Sequence, residues 1–204
     1  MDSALQRKWN RASLTYNLTT WAEERRFGAA KRRLFAGMKG RCLMLAAGTG
    51  NDFRLFPPGL TITAIDVSPG MVERARPKAS AYDGALDVRL MDVQALEFPD
   101  ATFETVATAG TFCSVPDPVR GLRELYRCLK PGGRLLMFEH VRSRLGPIAL
   151  MQDLMTPLSR LLGPEMNRDT VANVQRAGFE LCAEEYVYVD VVRTIEARRP
   201  GQAP

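Results

Sequence analysis

Histidine and closely spaced cysteines are scarce in this chain of 204 residues. It contains one histidine, His140, and four cysteines that are scattered without a Cys-x-x-Cys pair. A metal cluster or a disulfide framework needs more of these residues at closer spacing, so we expect no bound metal and a reducing, cytoplasmic location. No apolar run reaches the roughly 20 residues that span a bilayer. The first residues also lack the apolar stretch of a secretory signal.

The net charge of +5 is distributed unevenly along the chain. Residues 1–41 contain ten Lys and Arg against three acids, whereas the remainder is slightly acidic. Apolar residues recur at helical spacing at positions 5, 9, 12 and 16, with Arg7, Lys8 and Arg11 beside them. Such a helix can lie weakly on an anionic membrane surface, in a salt-sensitive way. A nucleic-acid contact and an ordinary solvated helix face are the alternatives.

A regular alternation of strand and helix patterns begins at residue 41. Short apolar or β-rich runs end at glycine or aspartate, and helical stretches such as Pro69–Ala79 and Pro118–Leu129 lie between them. This alternation is typical of a doubly wound α/β domain, in which helices cover both faces of a parallel sheet. The predicted strands are Arg41–Ala46, Leu60–Ile65, Ala85–Met91, Phe103–Ala109 and, after the turn Lys130-Pro131-Gly132-Gly133, Arg134–Glu139.

The C-terminal end departs from this alternation. A helix is predicted over Val171–Ala177, followed by two β-rich runs, Glu180–Val189 and Val191–Arg198, which we expect to pair antiparallel. We therefore expect one domain over residues 41–198, followed by a frayed tail over residues 199–204.

The front end, residues 1–40, is predicted to be helical. Ser3-x-x-Gln6 and Thr20-x-x-Glu23 both have the form of a capping box, so each indicates the start of a helix. Gly37 is a candidate for the end of the second helix because glycine readily adopts the conformation that follows a helix.

Glycines and acids follow the ends of the first three predicted strands. The loop after the first strand reads Ala46-Ala47-Gly48-Thr49-Gly50, and backbone without Cβ atoms allows a ligand to approach closely. Ligands of open parallel sheets bind beyond the carboxyl ends of the strands. There Asp66 can accept hydrogen bonds from both hydroxyls of a ribose, and Asp92 from the exocyclic amine of adenine. Acids at two successive strand ends therefore indicate an adenosine-containing ligand.

With these motifs the chain resembles the class I S-adenosylmethionine-dependent methyltransferases, in the branch of the ubiquinone and menaquinone C-methyltransferases. The resemblance covers Cys42 to His140 and continues more weakly to both ends. It implies a Rossmann-like fold with a seven-stranded, mostly parallel sheet, a C-terminal antiparallel strand and an N-terminal helical lid over residues 1–40. The matching segments are Ala46-Ala47-Gly48-Thr49-Gly50, Ala64-Ile65-Asp66-Val67-Ser68-Pro69-Gly70-Met71, Asp92-Val93-Gln94-Ala95-Leu96-Glu97-Phe98, Phe103-Glu104-Thr105-Val106 and Leu129-Lys130-Pro131-Gly132-Gly133-Arg134.

The resemblance also implies which residues bind the cofactor, S-adenosylmethionine. It places the loop from Ala46 to Gly50 beside the methionine part of the cofactor and Asp66 at the ribose. Met71 and the pair Asp92-Val93 would contact adenine, and the residues from Ala109 to Thr111 would pass close to the sulfonium. The implied cofactor-binding set is Ala46, Ala47, Gly48, Thr49, Gly50, Asp66, Val67, Met71, Asp92, Val93, Ala109 and Thr111.

Two positions depart from the family pattern. The family usually has an acid where Met44 stands, which helps to hold the methionine end of the cofactor, and a glycine where Ala46 stands. Asp52 can replace the missing acid. The preferred interpretation is that Asp52 stands at a helix N-terminus, where the helix dipole favours an acid. The departures keep open the alternative of a protein that binds the cofactor without catalysing transfer.

Other nucleotide-binding patterns fit less well. A dinucleotide fingerprint has a glycine where Phe53 stands, so a nicotinamide-dependent oxidoreductase is supported only by the order of elements. The Gly-Lys-Ser/Thr sequence of a Walker loop is absent. Enzymes that methylate nucleic-acid bases typically have Asn/Asp-Pro-Pro-aromatic where this chain has Ala109-Gly110-Thr111-Phe112, so we expect no nucleic-acid partner.

The candidate catalytic residues are His140 and Tyr16. His140 follows the fifth strand, where a neutral imidazole can take a proton from an acceptor or orient it, and a hydrogen bond to a neighbouring loop is the alternative. Tyr16 lies in a segment similar to the one that folds over the cofactor in the ubiquinone-type branch. Its hydroxyl can face the reaction centre, or its ring can simply anchor the lid.

Gly146-Pro147 interrupts the chain after the fifth strand, and a further helix is expected to begin at Pro147. In the family that the chain resembles, an insertion here often covers the acceptor, but packing on the sheet is the preferred interpretation. The chain also resembles the bacterial phospholipid N-methyltransferases of the ubiquinone-enzyme type and the membrane-associated alkyl-thiol methyltransferases. The latter share a region similar to Asn51-Asp52-Phe53-Arg54-Leu55-Phe56-Pro57-Pro58-Gly59 and the segment Phe138-Glu139-His140-Val141. The expected acceptor is therefore a phospholipid amine, then a thiol or a quinone ring, and a peripheral contact with an anionic inner membrane surface stays open. The apolar face of the helix consists of Met151, Leu154, Met155, Leu158, Leu161 and Leu162.

Overall fold

A computed structural model of the protein describes residues 3–14, 16–162 and 164–201. Within these ranges the chain forms six α-helices and seven β-strands. The helices are α1 Ser3–Ala12, α2 Tyr16–Phe35, α3 Pro69–Ser80, α4 Pro118–Cys128, α5 Gly146–Leu162 and α6 Thr170–Arg176. The strands are β1 Arg41–Leu45, β2 Thr61–Asp66, β3 Ala85–Leu90, β4 Phe103–Ala109, β5 Leu129–His140, β6 Glu180–Tyr188 and β7 Val192–Arg198, and a short 3₁₀ helix spans Asn51–Leu55.

The strands form one sheet in the order β3-β2-β1-β4-β5-β7-β6. Strands β1 to β5 pair parallel, whereas β7 runs antiparallel to both of its neighbours, β5 and β6. The predicted fold class, a doubly wound, mostly parallel seven-stranded sheet with a C-terminal antiparallel strand, is confirmed. Since the chain moves outward from β1 to β3 and then returns to add β4, the strand order reverses between β1 and β4. Crevices for ligands form at such a reversal.

Alternating side chains along β1 divide the buried interior into two cores. Leu43 and Leu45 belong to the core that contains residues of α4 and α6, whereas Cys42 and Met44 belong to the core that contains residues of α2 and α3. Because successive side chains of a strand point to opposite faces, both faces of the sheet are covered by helices. Because both faces of β1 are buried, its sequence is apolar at successive positions.

Most predicted boundaries agree with the structure to within one residue, and the beginnings of α2 and β5 differ by more. Helix α2 begins at Tyr16, so Thr20 lies inside the helix and does not cap it. Nothing between Tyr16 and Thr20 breaks a helix, and a capping-box pattern by itself does not fix where a helix begins. Strand β5 begins at Leu129, and the Lys130–Gly133 turn is accommodated as a shift in its register with β4.

The tail is anchored further than the sequence suggests. The Arg199 amide donates to the carbonyl oxygen of Gly133 at 2.9 Å, and its own carbonyl oxygen accepts from the Gly132 amide at 2.9 Å. Its guanidinium donates to the carbonyl oxygens of Tyr126, Arg127 and Leu129, at and just beyond the C-terminal end of α4. Basic side chains commonly bind these last carbonyls. The expectation that the tail frays from residue 199 is therefore wrong for Arg199, and residues 202–204 lie outside the described residues.

Helix α5 buries the opposite face to the one predicted. Its inward side chains are Ala149, Gln152 and Thr156, which are buried, whereas the apolar face is exposed. Gln152 accepts a hydrogen bond from the Ser143 amide at 2.7 Å and donates to the Val141 carbonyl oxygen at 3.0 Å. The polar side turns inward because the loop after β5 offers backbone groups that need partners. The described apolar side chains of α5 do not pack on the sheet, and the side chains of Leu161 and Leu162 lie outside the described residues.

In the part of the chain that the structure describes, each helix is too short or too polar to cross a bilayer. The same ranges contain no group of three or more His, Cys, Asp or Glu side chains arranged to hold a metal ion.

Candidate active site

Two adjoining cavities lie at the carboxyl ends of the central strands. The first cavity is lined by residues at the ends of β1 to β4 and by α1. The second cavity is lined by residues of α2, the loop after β1 and the end of β5. Residues that line both are Trp9, Tyr16, Ala46, Gly48, Ala109, Gly110 and Ser114. The cavities therefore meet at the switch point of the sheet.

All but one of the predicted site residues line these cavities. Those in the wall of the first cavity are Tyr16, Ala46, Gly48, Asp66, Val67, Met71, Asp92, Val93, Ala109 and Thr111. Those in the wall of the second are Tyr16, Ala46, Ala47, Gly48, Thr49, Ala109 and His140. Gly50 is in neither described lining; a Cβ atom there would lie 2.9 Å from the Phe53 ring and 3.2 Å from the Ala75 Cα. Gly50 thus permits close packing of the loop on α3.

Asp66 joins the ends of β1 and β2. Its Oδ2 accepts a hydrogen bond from the Gly48 amide and its Oδ1 one from the Ser68 amide, both at 2.9 Å. Burial raises the pKa of this carboxyl to about 6, against the effect of the backbone donors. A carboxylate has about four acceptor positions, so two backbone amides leave capacity for ligand hydroxyls. The side chain thus fixes the glycine loop and can bind a ribose at the same time.

Asp92 provides the second acid of the first cavity. The Gln94 amide and side chain donate to its Oδ1 at 2.9 and 3.3 Å, and its described hydrogen bonds all fall on that oxygen. Met71 and Val93 line the same cavity with apolar surface. Two acids beside apolar side chains match an adenosine, whose base has flat apolar faces and a polar edge. The residues present therefore fit the nucleoside part of the predicted cofactor.

Helix α1 closes the first cavity from outside the sheet. Leu5 and Trp9 line that cavity, so the apolar face of α1 points inward. The helix is attached to the beginning of α3, where the Gly70 amide donates to Asn10 Oδ1 at 2.8 Å. A Cβ atom on Gly70 would lie 2.6 Å from that oxygen, so a larger residue there would displace the Asn10 side chain and weaken this attachment. The face that the sequence suggested for a membrane surface is used here for the cavity.

Glu139 is a residue of the site that sequence reasoning missed. It is fully buried, and its carboxylate accepts from the Thr108 hydroxyl at 2.6 Å and from the Thr111 and Phe112 amides at 3.0 and 3.1 Å. Burial raises its pKa to about 7, against the effect of these donors. The carboxylate fixes the loop after β4, which lines both cavities. In the sequence, Glu139 is an acid within an otherwise apolar strand, and this feature could have identified it.

A buried cation lies in the wall of the second cavity. Lys31 Nζ donates to the carboxylate of Asp52 at 3.2 and 3.3 Å and lies 3.6 Å from Glu23 Oε1. It is also 5.3 Å from the centre of the Phe138 ring. Asp52 is therefore paired with Lys31. Neither Lys31 nor Glu23 was predicted, because α2 resembles an ordinary basic helix in sequence and no motif connects it with the loop after β1.

Both predicted catalytic side chains line the second cavity. Burial lowers the pKa of His140, so its imidazole is neutral near pH 7. Burial, and after it the negative charge of Glu23, raises the pKa of Tyr16, so its hydroxyl keeps its proton. A Cβ atom on Gly48 would lie 3.5 Å from the Tyr16 ring, which places this ring beside the glycine loop.

The two departures from the family pattern have different structural consequences. Met44 is buried in the core beneath α2 and α3, where an apolar side chain packs without cost. Ala46 has a φ of 48°, in the left-handed region that favours glycine. The loop therefore keeps its shape, with some strain at Ala46.

Comparison with known proteins identifies the family. The methyltransferase domain matches residues 43–137. Human thiol S-methyltransferase TMT1B is 31% identical over 170 residues, which cover 76% of this chain and 69% of that protein. The chain belongs to the S-adenosylmethionine-dependent methyltransferases. S-adenosylmethionine is accordingly its cofactor, and the nicotinamide alternative has no support.

Other curated relatives of this methyltransferase differ in the acceptor that their names give. A phosphatidylethanolamine N-methyltransferase from Cereibacter sphaeroides is 32% identical over 61% of this chain and 62% of its own length. A ubiquinone/menaquinone biosynthesis C-methyltransferase from Geobacter sulfurreducens is 41% identical over 52% of this chain and 44% of its own length. The chain thus spans less than two thirds of either relative.

Solved structures support the fold of the methyltransferase. A possible histamine N-methyltransferase from Thermotoga maritima has a TM-score of 0.71 at 18% identity, covering 96% of this chain and 99% of that one. The [4+2]-cyclase SpnF has a TM-score of 0.68 at 20% identity, covering 86% and 80%. Since a cyclase shares the architecture, the fold by itself does not determine the reaction.

Proposed function

We propose that the protein transfers a methyl group from S-adenosylmethionine to a small or amphipathic acceptor, with a phospholipid amine as the first candidate. The observation that carries this proposal is the pair of adjoining cavities, one with two acids at successive strand ends and the other with a neutral imidazole. They meet at Ala46, Gly48 and Ala109, where small residues line both. A thiol or a quinone ring is the alternative acceptor.

In this proposal the first cavity holds the cofactor. Asp66 accepts from the ribose hydroxyls, Asp92 and Val93 bind the adenine edge, and Met71 packs against the base. The loop from Ala46 to Thr49 and the residues Ala109 and Gly110 also line the second cavity. S-adenosylmethionine supplies an electrophilic methyl group with a good leaving group when it is bound. We also propose that residues 1–40 act as a lid, with Leu5 and Trp9 excluding water from the cofactor.

The side chains of the second cavity orient the acceptor and move its proton. His140, kept neutral by burial, accepts the proton that an ammonium or thiol acceptor must lose before its nitrogen or sulfur can attack. Tyr16 keeps its hydroxyl proton and can donate a hydrogen bond to the acceptor. Most of the rate enhancement comes from holding the acceptor in line with the methyl group in a dry cavity.

The charges of the second cavity favour an amine. Glu23 and Asp52 are two carboxylates against one described cation, Lys31, so this wall has an excess of negative charge. An ammonium group is attracted to such a wall, whereas a thiolate or a quinol anion is repelled. The names of the relatives supply the three acceptor classes, and this charge supports the choice among them.

The decisive experiment is transfer from S-adenosylmethionine with a labelled methyl group to a panel of acceptors. We expect label in phosphatidylethanolamine dispersed in detergent, and less or none in a long-chain alkyl thiol or a quinol. Tight cofactor binding without transfer to any of the three would contradict the proposal. It would favour the second candidate, a cofactor-binding protein without transfer activity, which the strained Ala46 and the absent acid at Met44 support.

His140→Ala tests the proton transfer directly. We expect kcat to fall by about 100-fold or more, as for loss of a general base, while the Kd for S-adenosylhomocysteine changes less than about twofold. The acidic limb of the pH profile of kcat/KM should disappear in the variant, because that limb reports protonation of His140. Full activity with an unchanged pH profile would remove His140 from the mechanism.

A further inference from the structure

Helix α5 presents a continuous apolar surface to the outside of the protein. Five of its leucine and methionine side chains are between 44% and 73% exposed, and Pro147 and Pro157 are exposed beside them. We name this surface the α5 face; it consists of Pro147, Leu150, Met151, Leu154, Met155, Pro157 and Leu158. Monomeric soluble proteins seldom expose so many large apolar side chains together without a partner for them.

The charged residues of α5 are kept off this face. The helix contains only Asp153 and Arg160 as charged residues. At about 100° per residue both lie on the inward side and its flank, away from Leu154. Asp153 accepts hydrogen bonds from Arg142 and Asn167, and Arg160 pairs with Glu165. Because the inward side is held by the polar contacts of Gln152, the outward orientation of the apolar side chains is fixed by the fold.

We propose that the α5 face inserts into the interfacial region of an anionic lipid bilayer and places the second cavity at the membrane surface. The choice of a lipid bilayer over another apolar partner rests on the proposed function, in which the acceptor is a lipid. Binding of the α5 face to a bilayer does not itself require methyl transfer. A helix with one apolar face and basic neighbours lies in the plane of such an interface.

The position of the C-terminal end of α5 connects this face with the second cavity. The helix ends at Leu162, and Pro164 lines that cavity. The Glu165 amide donates to the Cys113 carbonyl oxygen at 2.8 Å, which attaches the segment to the loop after β4. A lipid headgroup that leaves the bilayer at this end of α5 would therefore have a short path to His140.

Basic side chains surround the α5 face. Arg142, Arg144 and Arg160 are exposed on its flanks, and Lys8 Nζ donates to the Arg160 carbonyl oxygen at 2.6 Å. The carboxylates that pair with Arg144 and Arg160 are largely buried, but the two arginine side chains are themselves 61% exposed, so lipid phosphates can reach them.

A second copy of the chain is a poorer occupant of this face. The 17 residues of α5 span about 25 Å, and a face about 10 Å wide then offers roughly 250 Å². A stable interface buries about 800 Å² on each partner. One helix face is too small for that, whereas a bilayer needs no matching surface.

The test is flotation of the full chain with vesicles of equal parts phosphatidylglycerol and phosphatidylcholine, without cofactor or acceptor. We expect the wild type to bind these vesicles and to bind pure phosphatidylcholine less. Leu150→Gln together with Leu154→Gln should weaken binding by at least about tenfold, since two inserted side chains are lost. The control is Leu181→Gln, which changes an exposed leucine near the beginning of β6, at the end of the strands opposite to α5, and should bind as the wild type does.

Three outcomes would overturn the proposal: no binding by the wild type, equal binding by the double variant, or equal loss in the Leu181→Gln control. A concentration-dependent dimer that the double variant abolishes would assign the face to a second copy instead. Failure of methyl transfer is distinguishable from these outcomes. Wild-type protein that floats with vesicles but methylates nothing would contradict the proposed function and leave the docking surface standing.

Discussion

The two cavities are built in different ways, although they share part of their walls. The acids of the first cavity stand at the ends of neighbouring strands, and Asp66 is fixed by backbone amides of the adjoining turns. The polar side chains of the second cavity come from distant segments. Glu23 and Lys31 belong to α2, Asp52 to the 3₁₀ helix and His140 to the end of β5. The cofactor half therefore follows from the sheet itself, and the acceptor half from the helices packed around it.

Glu139 fixes the loop after β4, which lines both cavities. Its replacement should therefore have the largest effect on the free energy of unfolding. In Glu139→Leu the Thr108 hydroxyl and the Thr111 and Phe112 amides lose their acceptor, at about 1–3 kcal/mol each. Removal of a buried charge offsets part of this, so we expect the free energy of unfolding to fall by about 2–4 kcal/mol. Urea denaturation measures it.

Glu139→Gln is the matched control for that change. It keeps one acceptor oxygen and the side-chain shape, so its loss of stability should be smaller. Equal stability of the wild type and Glu139→Leu would show that the loop after β4 is held by other contacts.

Asp66→Ala should weaken ligand binding in the first cavity and leave the second cavity unchanged. A charge-assisted contact with the ribose is lost, together with two backbone hydrogen bonds, so we expect affinity for S-adenosylhomocysteine to fall by about 1–3 kcal/mol. Calorimetry measures it. Asp87→Ala is the control, because Asp87 is an exposed acid on the neighbouring strand β3. If Asp66→Ala binds as tightly as the wild type, the ribose is not bound at this position.

The same division explains what the sequence could predict. The strand ends at Asp66 and Asp92 are visible because topology brings the ends of successive parallel strands to one edge of the sheet. The Lys31–Asp52 pair is not visible, because it depends on how α2 packs on the sheet. For α5 the apolar periodicity was predicted correctly, but the prediction that the apolar face points inward was wrong. Gln152 forms hydrogen bonds with backbone groups of the loop after β5, and the need of these groups for partners outweighs the burial of apolar side chains.

The raised pKa of Asp66 predicts that binding in the first cavity depends on pH. Burial raises this pKa to about 6, and only the ionised form can accept hydrogen bonds with both oxygens. Affinity should therefore be full above pH 6 and should fall as the pH decreases through that value, approaching about tenfold per pH unit. Adenosine is the suitable probe, since it lacks the titrating amino-acid part of the cofactor. Asp66→Asn should remove this pH dependence, and an unchanged slope in that variant would assign it to another group.

The smallest expected effect concerns Ala46, where the two cavities meet. Its φ of 48° costs an alanine about 1–2 kcal/mol, whereas a glycine there would lose about 0.5–1 kcal/mol more chain entropy on folding. Ala46→Gly should therefore raise the free energy of unfolding by about 0.5–1 kcal/mol. Ala47→Gly is the control, because Ala47 is not among the residues with positive φ and should lose stability instead. If Ala46→Gly is the less stable of the two, the methyl group of Ala46 has a packing role between the cavities that outweighs the strain of its backbone.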